Sequence, residues 1–316
     1  MKNKAILNLV IPCYNEEEAL PYTKKELDKK MKALIDDGLI SKESKVVLVN
    51  DGSKDKTWDI ITEFHNKDNM YVGINLSRNR GHQNALLAGL MYARDNADIS
   101  ISMDADLQDD INVIDDMIKK YNNGADIVYG VRNSRKKDTF FKKFTAEGFY
   151  RFMNIMGVEI VFNHADFRLM SKRALEALSN YKEVNLFLRG MVPQLGFKTD
   201  IAYYGRNERV AGSSKYPFKK MLSFAIDGIT SFSIKPLRMI AFLGIIMCII
   251  SFAALIYTTI LKISGKVISL ESFIMCSIWL VGGIQILCLG IIGEYIGKIY
   301  NETKARPRYI IESILD

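Results

Sequence analysis

Short apolar runs alternate with amphipathic segments through the first 131 residues, and this alternation narrows the possible folds more than any other feature. The runs contain four to seven mostly apolar residues, which is typical of strands, and the longer segments between them have helical spacing. Strands that alternate with helices predict an α/β fold with a mostly parallel, doubly wound sheet. The predicted strands are 6–11, 46–49, 70–76, 99–103 and 127–131. The segment 16–39 is predicted to be rich in helix, and the predicted helices are 56–65, 82–94 and 111–121.

Polar and charged residues collect where these predicted strands end. Sheets of this kind bind ligands beyond the carboxyl ends of their strands, so polar clusters at that edge indicate a binding site. Taken singly, Asp51-Gly52-Ser53 is typical of a turn and helix cap, and Glu16 of a helix start. The clusters are 12–16, 51–53, 77–79, 104–108 and Arg132.

Asp104 and Asp106 directly follow the apolar run 99–103. If the chain stays extended there, both carboxylates point the same way because strand side chains alternate. Gln108 then adds a neutral oxygen ligand on the same side. Oxygen ligands favour Mg²⁺ or Mn²⁺, which usually act on a phosphate-bearing substrate. The alternative is a pair of solvated turn carboxylates that cap a helix starting near Asp109.

Two long uncharged runs lie near the carboxyl end of the chain. Residues 239–261 form a run of 23 residues, and residues 273–292 form a run of 20. At ~1.5 Å per helical residue, each run can cross a hydrocarbon layer ~30 Å thick. The short linker 262–272 predicts a tight hairpin. The runs therefore predict two membrane spans, and a hairpin buried in a protein core is the alternative.

Basic residues flank the predicted spans on their outer sides, whereas the loop between the spans has few. The positive-inside rule then predicts a two-span protein of the cell membrane with both chain ends in the cytoplasm. The chain starts with a strand-like run, and we expect no signal peptide. The predicted parts are a cytoplasmic domain at 1–214, an interfacial amphipathic helix at 215–235, the hairpin at 236–296 and a cytoplasmic tail at 297–316.

Missing motifs disfavour several classes of protein. No dinucleotide-binding glycine triplet follows the first predicted strand and no Walker loop occurs, which disfavours dehydrogenases and NTPases. The four cysteines have neither a disulfide framework nor a zinc-binding spacing. We also expect no nucleic-acid partner.

Four sequence blocks resemble the signature blocks of family 2 glycosyltransferases of GT-A fold. Within that family the chain resembles the polyprenyl-phosphate glycosyltransferases, which include bactoprenol glucosyltransferases and dolichol-phosphate mannose synthases. The resemblance implies a GT-A catalytic domain at 1–214, and it extends to 166–170, 209–216 and the two-span hairpin. The four blocks are Ile11-Pro12-Cys13-Tyr14-Asn15-Glu16-Glu17, Val49-Asn50-Asp51-Gly52-Ser53, Ser77-Arg78-Asn79-Arg80-Gly81 and Asp104-Ala105-Asp106-Leu107-Gln108.

The resemblance implies a set of residues that bind the donor nucleotide. Pro12, Tyr14 and Glu16 match positions that hold the base and ribose. Asp51 matches the position that recognises the edge of the base, where a carboxylate can accept hydrogen bonds from uracil or guanine. Asp104 matches a residue near the ribose and the metal.

The resemblance also implies a catalytic metal site and a candidate base. Asp106 and Gln108 match the metal ligands proper, with Asp104 beside them, and Mg²⁺ or Mn²⁺ there would stabilise the leaving diphosphate. Asp166 matches a residue proposed as general base in relatives. Because a phosphomonoester is largely dianionic near neutral pH, Asp166 has the alternative role of orienting Arg168 or the sugar hydroxyls.

Basic residues are expected on the acceptor side, since arginine can bind a phosphate through two hydrogen bonds. The run Arg135-Lys136-Lys137 is better explained as solvated or facing lipid headgroups. Residues 216–232 have helical amphipathic spacing and predict a helix at the membrane interface, with packing against the catalytic domain as the alternative. The implied acceptor-phosphate residues are Arg132, Arg151, Arg209, Ser214 and Lys215.

The expected reaction is inverting transfer of a hexose from a nucleotide-sugar to polyprenyl phosphate on the cytoplasmic membrane face, for cell-envelope glycan modification. A composition rich in Lys, Asn and Ile favours a bacterial undecaprenyl phosphate, and UDP-glucose or UDP-N-acetylglucosamine is the favoured donor. The alternatives are a GDP-mannose-dependent polyprenyl-phosphate mannose synthase and a non-catalytic membrane scaffold that keeps the nucleotide cleft. A processive synthase is disfavoured because neither tryptophan follows an arginine. Glycines in the hairpin permit a homo-oligomer.

Overall fold

The computed structural model describes residues 4–132, 164–205, 235–264 and 271–316. These residues form two compact units. The first contains 4–132, 164–205 and 306–316, and the second contains 235–264 and 271–305.

An eight-stranded sheet runs through the first unit in the order β7-β5-β6-β4-β1-β2-β3-β8. Its strands are β1 (Leu7–Cys13), β2 (Lys45–Asn50), β3 (Tyr71–Leu76), β4 (Ile99–Ser102), β5 (Ile127–Arg132), β6 (His164–Ser171), β7 (Thr199–Tyr204) and β8 (Ile311–Leu315). The helices of this unit are α1 (Leu20–Asp36), α2 (Thr57–Lys67), α3 (His82–Asn96), α4 (Ile114–Asn122, after a 3-10 turn at Ile111–Val113), α5 (Lys172–Ser179) and α6 (Leu188–Gln194).

The sheet is mixed, with six strands in one direction and two against it. Strands β4, β1, β2 and β3 pair in parallel, as do β5 and β7, whereas β6 and β8 pair antiparallel to their neighbours. The GT-A-like α/β sheet that the sequence predicts fits this arrangement. The two antiparallel strands were not among the predicted elements.

Helices cover both faces of the sheet because side chains on a strand alternate between its faces. Leu9 and Ile11 belong to the buried cluster that includes apolar residues of α1, α2 and α4. The neighbouring side chain of Val10 meets α3 on the other face, where a Cβ added to Gly89 would lie 2.3 Å from Val10 Cγ1. Glycine at this position therefore lets α3 approach the sheet closely.

The carboxyl-terminal strand β8 covers the β3 edge of the sheet. Ser77 N donates to Ile310 O at 3.0 Å, and Asn75 Nδ2 donates to Glu312 Oε2 at 2.9 Å. The segment predicted as a tail thus contains the end of a helix and a paired strand. Pairing protects the backbone groups of the β3 edge from other chains.

Two long helices make up the described part of the second unit. They are α7 (Lys235–Ile263) and α8 (Glu271–Lys304), and they contact each other. They include the predicted spans 239–261 and 273–292. Within the described residues, no helix meets the length and apolarity that a membrane span requires. The two-span arrangement stays a prediction, and the predicted interfacial helix at 216–232 lies outside the described residues.

Two helices begin later than the predicted segments that contain them. In the helix-rich segment 16–39, helix α1 begins at Leu20, because Glu16 O first accepts hydrogen bonds from Ala19 N and Leu20 N in a turn. Helix α2 begins at Thr57, and the Asp55 carboxylate accepts from Thr57 N at 3.1 Å. Side chains that bond to nearby backbone compete with helix formation at such positions.

Candidate active site

The loops that follow the parallel strands meet at one edge of the sheet. Asp51 N donates to Cys13 O at 2.9 Å, so the end of β2 is joined to the end of β1. Asn15 N donates to Ser53 Oγ at 3.0 Å, and Asn15 Oδ1 accepts from Lys54 N at 2.9 Å. Asn15 has a φ of +54°, a conformation that asparagine tolerates better than most residues. The predicted clustering of polar residues at this edge is thus present.

A cleft of about 450 Å³ opens beside these first two loops. Pro12 is buried at the end of β1, whereas the side chain of Tyr14 is 42% exposed. Glu16 is held in place by its backbone N–H, which donates to Thr57 Oγ1 at 2.8 Å. The nucleotide-binding roles of Pro12, Tyr14 and Glu16 stay predictions. The cleft is lined by Asn15, Glu16, Glu17, Glu18, Ala19, Lys54 and Asp55.

Asp51 is buried and holds the loop that precedes α3. Its Oδ1 accepts from Arg80 N at 2.7 Å, and its Oδ2 accepts from Gly81 N at 2.9 Å. Burial raises the pKa of Asp51, although the two backbone donors oppose that shift. The role as reader of the base edge stays a prediction. The geometry assigns Asp51 a second task, since it fixes residues 80–81 at the edge of the site.

Gly52 permits close contact between the loops after β2 and β3. It has a φ of +61°, and an added Cβ would lie 2.4 Å from Asn79 N and 2.8 Å from the Arg78 Cα. The left-handed conformation disfavours other residues, and the neighbouring backbone cannot rotate away as a side chain could. Only glycine fits this position without displacing the loop.

The loop after β4 does not follow the extended course that the sequence predicts. Strand β4 ends at Ser102, and residues 105–106 form a turn. Leu107 has a φ of +50°, and Asp106 Oδ1 accepts from Gln108 N at 3.1 Å. The chain is therefore not extended over these residues, and strand alternation does not determine where the carboxylates point. A tight loop presents these residues instead.

The alternative that these carboxylates cap the next helix also fails. The carboxylate that caps the following 3-10 turn belongs to Asp110, whose Oδ1 accepts from Asn112 N at 3.0 Å. Asp104 and Asp106 are both half-buried, and Gln108 is 6% exposed. Buried polar side chains of this kind need partners, which indicates a built polar site.

The donor set of this loop fits a hard divalent cation. Asp104, Asp106 and Gln108 offer carboxylate and amide oxygens, the ligands that Mg²⁺ and Mn²⁺ prefer. Among the described residues, no group of three His, Cys, Asp or Glu is placed to hold a metal ion. Mg²⁺ is commonly held by one or two carboxylates together with substrate phosphates, so two acids and an amide suffice.

Asp104 lies in a crowded acidic environment. Burial raises the pKa of Asp104 to about 6, and the negative charges of Asp166, Asp109 and Asp106 add to this effect. The charge of His82 opposes it. A cation beside Asp104 would relieve the repulsion among these carboxylates, which agrees with the oxygen donor set.

Asp166, on β6, lies at the centre of a cluster of basic side chains. Its Oδ1 accepts from Arg168 Nη2 at 2.6 Å and from Arg189 Nε at 3.2 Å, and its Oδ2 accepts from Arg189 Nη2 at 3.0 Å. His82 Nε2 lies 3.6 Å from Asp166 Oδ2 and 3.6 Å from Asp104 Oδ1. His82 therefore joins the cluster to the predicted metal loop.

The basic cluster determines the protonation of Asp166. Burial by itself would raise the pKa of Asp166, but the neighbouring His82 and the charges of Arg189 and Arg168 hold it well below its usual value. Burial lowers the pKa of His82, and the neighbouring carboxylates Asp166 and Asp104 raise it above its usual value overall. A carboxylate with such a low pKa is a weak base.

Arg132 ends β5 and contacts protein groups next to the metal loop. Its Nη2 donates to Asp109 Oδ1 at 3.1 Å, and its Nε donates to Tyr204 Oη at 3.2 Å. Tyr204 Oη also donates to Asp109 Oδ1 at 2.6 Å. Asp109 follows Gln108 directly, so this group anchors the end of the loop. The predicted contact of Arg132 with an acceptor phosphate stays a prediction.

Arg151, Arg209, Ser214 and Lys215 lie outside the described residues, as does the run 135–137. The structure therefore joins Asp166 to the predicted metal loop through His82, and the roles of these four residues stay predictions.

The structure adds four site residues that sequence reasoning missed. His82 follows the block 77–81 directly, so its position next to a signature block was an available signal. Asp109 likewise adjoins the block 104–108. Arg189 and Tyr204 lie on α6 and β7, for which no element was predicted, and no signal in the sequence marked them.

Comparison with known proteins identifies the family. The family model described as glycosyl transferase family 2 matches residues 8–179, and the model described as GtrB C-terminal hairpin matches residues 235–299. The first match covers more than half of the chain. The chain belongs to glycosyltransferase family 2, and the protein is a glycosyltransferase.

Two relatives of similar length, at 50% and 41% identity, support this assignment. The chain is 50% identical over 311 residues to YkoT of Bacillus subtilis, an uncharacterised glycosyltransferase, covering 98% of this chain and 92% of YkoT. It is 41% identical over 315 residues to a prophage bactoprenol glucosyl transferase homologue of Escherichia coli, covering 98% and 99%. A mannosyltransferase structure from Pyrobaculum calidifontis, solved with GDP-Man and Mn²⁺, aligns with a TM-score of 0.44 at 13% identity, covering 93% and 88%.

Proposed function

We propose that this glycosyltransferase transfers a hexose, with inversion, from a nucleotide-sugar to the phosphate of a polyprenyl phosphate. An acceptor phosphate oxygen forms the new bond to the anomeric carbon of the sugar. The bond from that carbon to the nucleoside diphosphate breaks, and its electron pair leaves with the diphosphate oxygen. Attack opposite the leaving group converts an α-linked donor into a β-linked product.

The observation that carries this proposal is the link made by His82 between Asp104 and Asp166. It places a loop of oxygen donors, suited to a metal-bound diphosphate, next to a basic cluster suited to a second anion. A reaction between a nucleotide-sugar and a lipid phosphate needs both kinds of site together. The name of the Escherichia coli relative, a bactoprenol glucosyl transferase homologue, supports the same acceptor class.

We assign the divalent cation, Mg²⁺ or Mn²⁺, to Asp104, Asp106 and Gln108. When bound, such an ion neutralises the donor diphosphate and stabilises it as a leaving group. Asp109 holds the carboxyl end of this loop through Arg132 and Tyr204. We expect this anchoring to limit the reorganisation that donor binding would otherwise require.

We place the nucleotide beside the loops after β1 and β2, in the cleft next to Glu16. Tyr14 precedes the lining residue Asn15 and is exposed enough to contact a base or ribose, and Asp51 holds the neighbouring loop 80–81. UDP-glucose or UDP-N-acetylglucosamine remains the favoured donor over GDP-mannose. Glucose is the sugar in the name of the Escherichia coli relative.

Asp166 is proposed as a positioning residue and not as the general base. Both of its oxygens already accept hydrogen bonds from guanidinium groups of Arg168 and Arg189. A phosphomonoester has its second pKa at about 6, so the acceptor is mostly dianionic near neutral pH and attacks without losing a proton. The task of Asp166 is then to hold the two arginines.

The acceptor is a membrane lipid, and we propose that α7 and α8 form a hairpin of two spans. The uncharged runs 239–261 and 273–292 and the match to the GtrB C-terminal hairpin support membrane association. The basic flanks favour a catalytic domain on the cytoplasmic side. Arg151, Arg209, Ser214 and Lys215 are proposed as further contacts of the acceptor phosphate.

The test supplies radiolabelled UDP-glucose, UDP-N-acetylglucosamine and GDP-mannose separately to membranes that contain the protein and undecaprenyl phosphate. We expect organic-soluble label from one UDP-sugar, abolished by chelation of divalent cations. The variant Asp106→Asn should lose this activity, whereas Asp110→Asn, a change at the cap of the next turn, should keep it. Label from GDP-mannose alone would refute the donor assignment, and no lipid label from any donor would refute the proposed function.

A further inference from the structure

Two guanidinium groups share one carboxylate in the basic cluster. Arg168 and Arg189 both donate to Asp166, and His82 lies within 3.6 Å of the same side chain. One carboxylate neutralises one guanidinium, so Asp166 and the two arginines together carry a net positive charge. A pair of guanidinium groups beside a predicted diphosphate site is suited to binding an additional anion.

The two arginines differ in their access to solvent. The side chain of Arg168 is 1% exposed, and its Nη1 donates to Leu188 O at 3.4 Å. The side chain of Arg189 is 35% exposed. Arg168 is therefore the structural partner of Asp166, because a buried charge needs a counter-charge. Arg189 can reach both Asp166 and a molecule that enters from solvent.

The backbone that carries Arg189 is fixed to the rest of the site. Helix α6 begins at Leu188, whose N–H donates to Gln83 Oε1 at 2.9 Å. Gln83 follows His82 on α3, so the same short stretch of α3 contacts both Asp166 and the start of α6. The guanidinium of Arg189 is further oriented by the two hydrogen bonds that it donates to Asp166. The side chain of Arg189 is thus preorganised, and it loses little conformational entropy when a ligand binds.

We propose that Arg189 binds the phosphate group of the acceptor lipid. This inference rests on the proposed function and adds a residue to the acceptor site. Arginine has five N–H donors, and the two on the edge formed by Nε and Nη2 point to Asp166. The guanidinium can bridge Asp166 and a phosphate in one plane, which lysine cannot reproduce.

The test measures initial rates with purified full-length enzyme in detergent, varying undecaprenyl phosphate and donor separately. We expect Arg189→Gln to raise the acceptor KM about 10- to 100-fold, the usual effect of losing hydrogen bonds to a charged group. The donor KM should stay within about threefold of wild type, and Arg189→Lys should be intermediate. Arg94→Gln is the matched control, since Arg94 is 31% exposed and ion-paired with Asp95 on the same unit.

A direct binding measurement complements the kinetics. Geranyl phosphate should raise the Tm of wild-type protein and of Arg94→Gln, and it should not raise the Tm of Arg189→Gln or should do so much less. If Arg189→Gln is poorly folded, Arg189→Lys, which keeps the charge beside Asp166, gives the same comparison.

Several results would overturn the inference. A rise in the donor KM instead of the acceptor KM would assign Arg189 to the donor diphosphate. A fall in kcat alone would show that Arg189 positions other groups and does not bind the acceptor. Unchanged kcat and KM values would show that Arg189 has no role in the reaction. If the wild-type enzyme transfers no sugar to undecaprenyl phosphate, the proposed function itself is wrong, so the two failures can be distinguished.

Discussion

Replacing Asp166 by asparagine should destabilise the first unit strongly. The change removes the charge that neutralises Arg168, which is 1% exposed, while the asparagine oxygen can still accept one hydrogen bond. Removing one partner of a buried ion pair costs about 3–5 kcal/mol. Because asparagine keeps one hydrogen bond, we expect a loss of stability at the lower end of this range, about 3 kcal/mol. A domain of this size loses ~2–4 °C of Tm per kcal/mol, so we expect a fall of about 6–12 °C.

The assay is thermal unfolding of the full-length protein in detergent, followed by circular dichroism. Asp95→Asn is the control, because its partner Arg94 lies at the surface and exposed pairs contribute about 0–1 kcal/mol. The double variant Asp166→Leu with Arg168→Met should recover much of the lost stability, since apolar replacement of a buried pair is often neutral. A Tm for Asp166→Asn within about 2 °C of wild type would refute the assignment of Asp166 as the counter-charge of Arg168.

Three further changes test other parts of the site. Gly52→Ala should lower the free energy of unfolding by about 2–4 kcal/mol and raise the donor KM, because the added Cβ overlaps neighbouring backbone at a residue whose φ is +61°. Gly196→Ala is the control: its φ is +69° but an added Cβ meets open space, so the loss should be only about 1–2 kcal/mol. Equal effects of the two on Tm would argue against the close loop contact. Tyr204→Phe should lower stability by about 1–3 kcal/mol because buried Asp109 loses a donor, whereas Tyr203→Phe, at a side chain 58% exposed, should be neutral in the same melt. Deleting residues 306–316 removes β8 from the β3 edge and should lower Tm and promote aggregation in size-exclusion chromatography; unchanged behaviour would show that the edge needs no cover.

Five of the six strands that run in the same direction, β1 to β5, could be predicted because they are mostly apolar, whereas β7 begins with exposed polar residues and was missed. Strands such as β1 and β2 are buried over nearly all of their length, and that pattern is visible in the sequence. The antiparallel strands were missed for a physical reason. Strand β6 contains His164, Asp166 and Arg168, and these polar side chains interrupt the apolar run that would indicate a strand. Strand β8 pairs with β3, which lies more than 200 residues earlier in the chain.

The site was predictable where polar residues follow a predicted strand directly. The donor-side blocks at 12–16, 51–53 and 104–108 were found in this way. The path of the loop after β4 could not be predicted, because the turn at 105–106 depends on local hydrogen bonds such as the one that Gln108 N donates to Asp106 Oδ1. Arg189 could not be found from sequence, since its contact with Asp166 depends on how α6 packs beside β6.

The structure of the lipid product tests the central claim most directly. Mass spectrometry and phosphorus and proton NMR of the product from an α-linked donor report how many phosphates join sugar and lipid and which anomer forms. Transfer of the hexose alone to the acceptor phosphate predicts one phosphate and a β-linked sugar. A product with two phosphates, or with the α configuration kept, would contradict the proposed attack of the acceptor phosphate on the anomeric carbon.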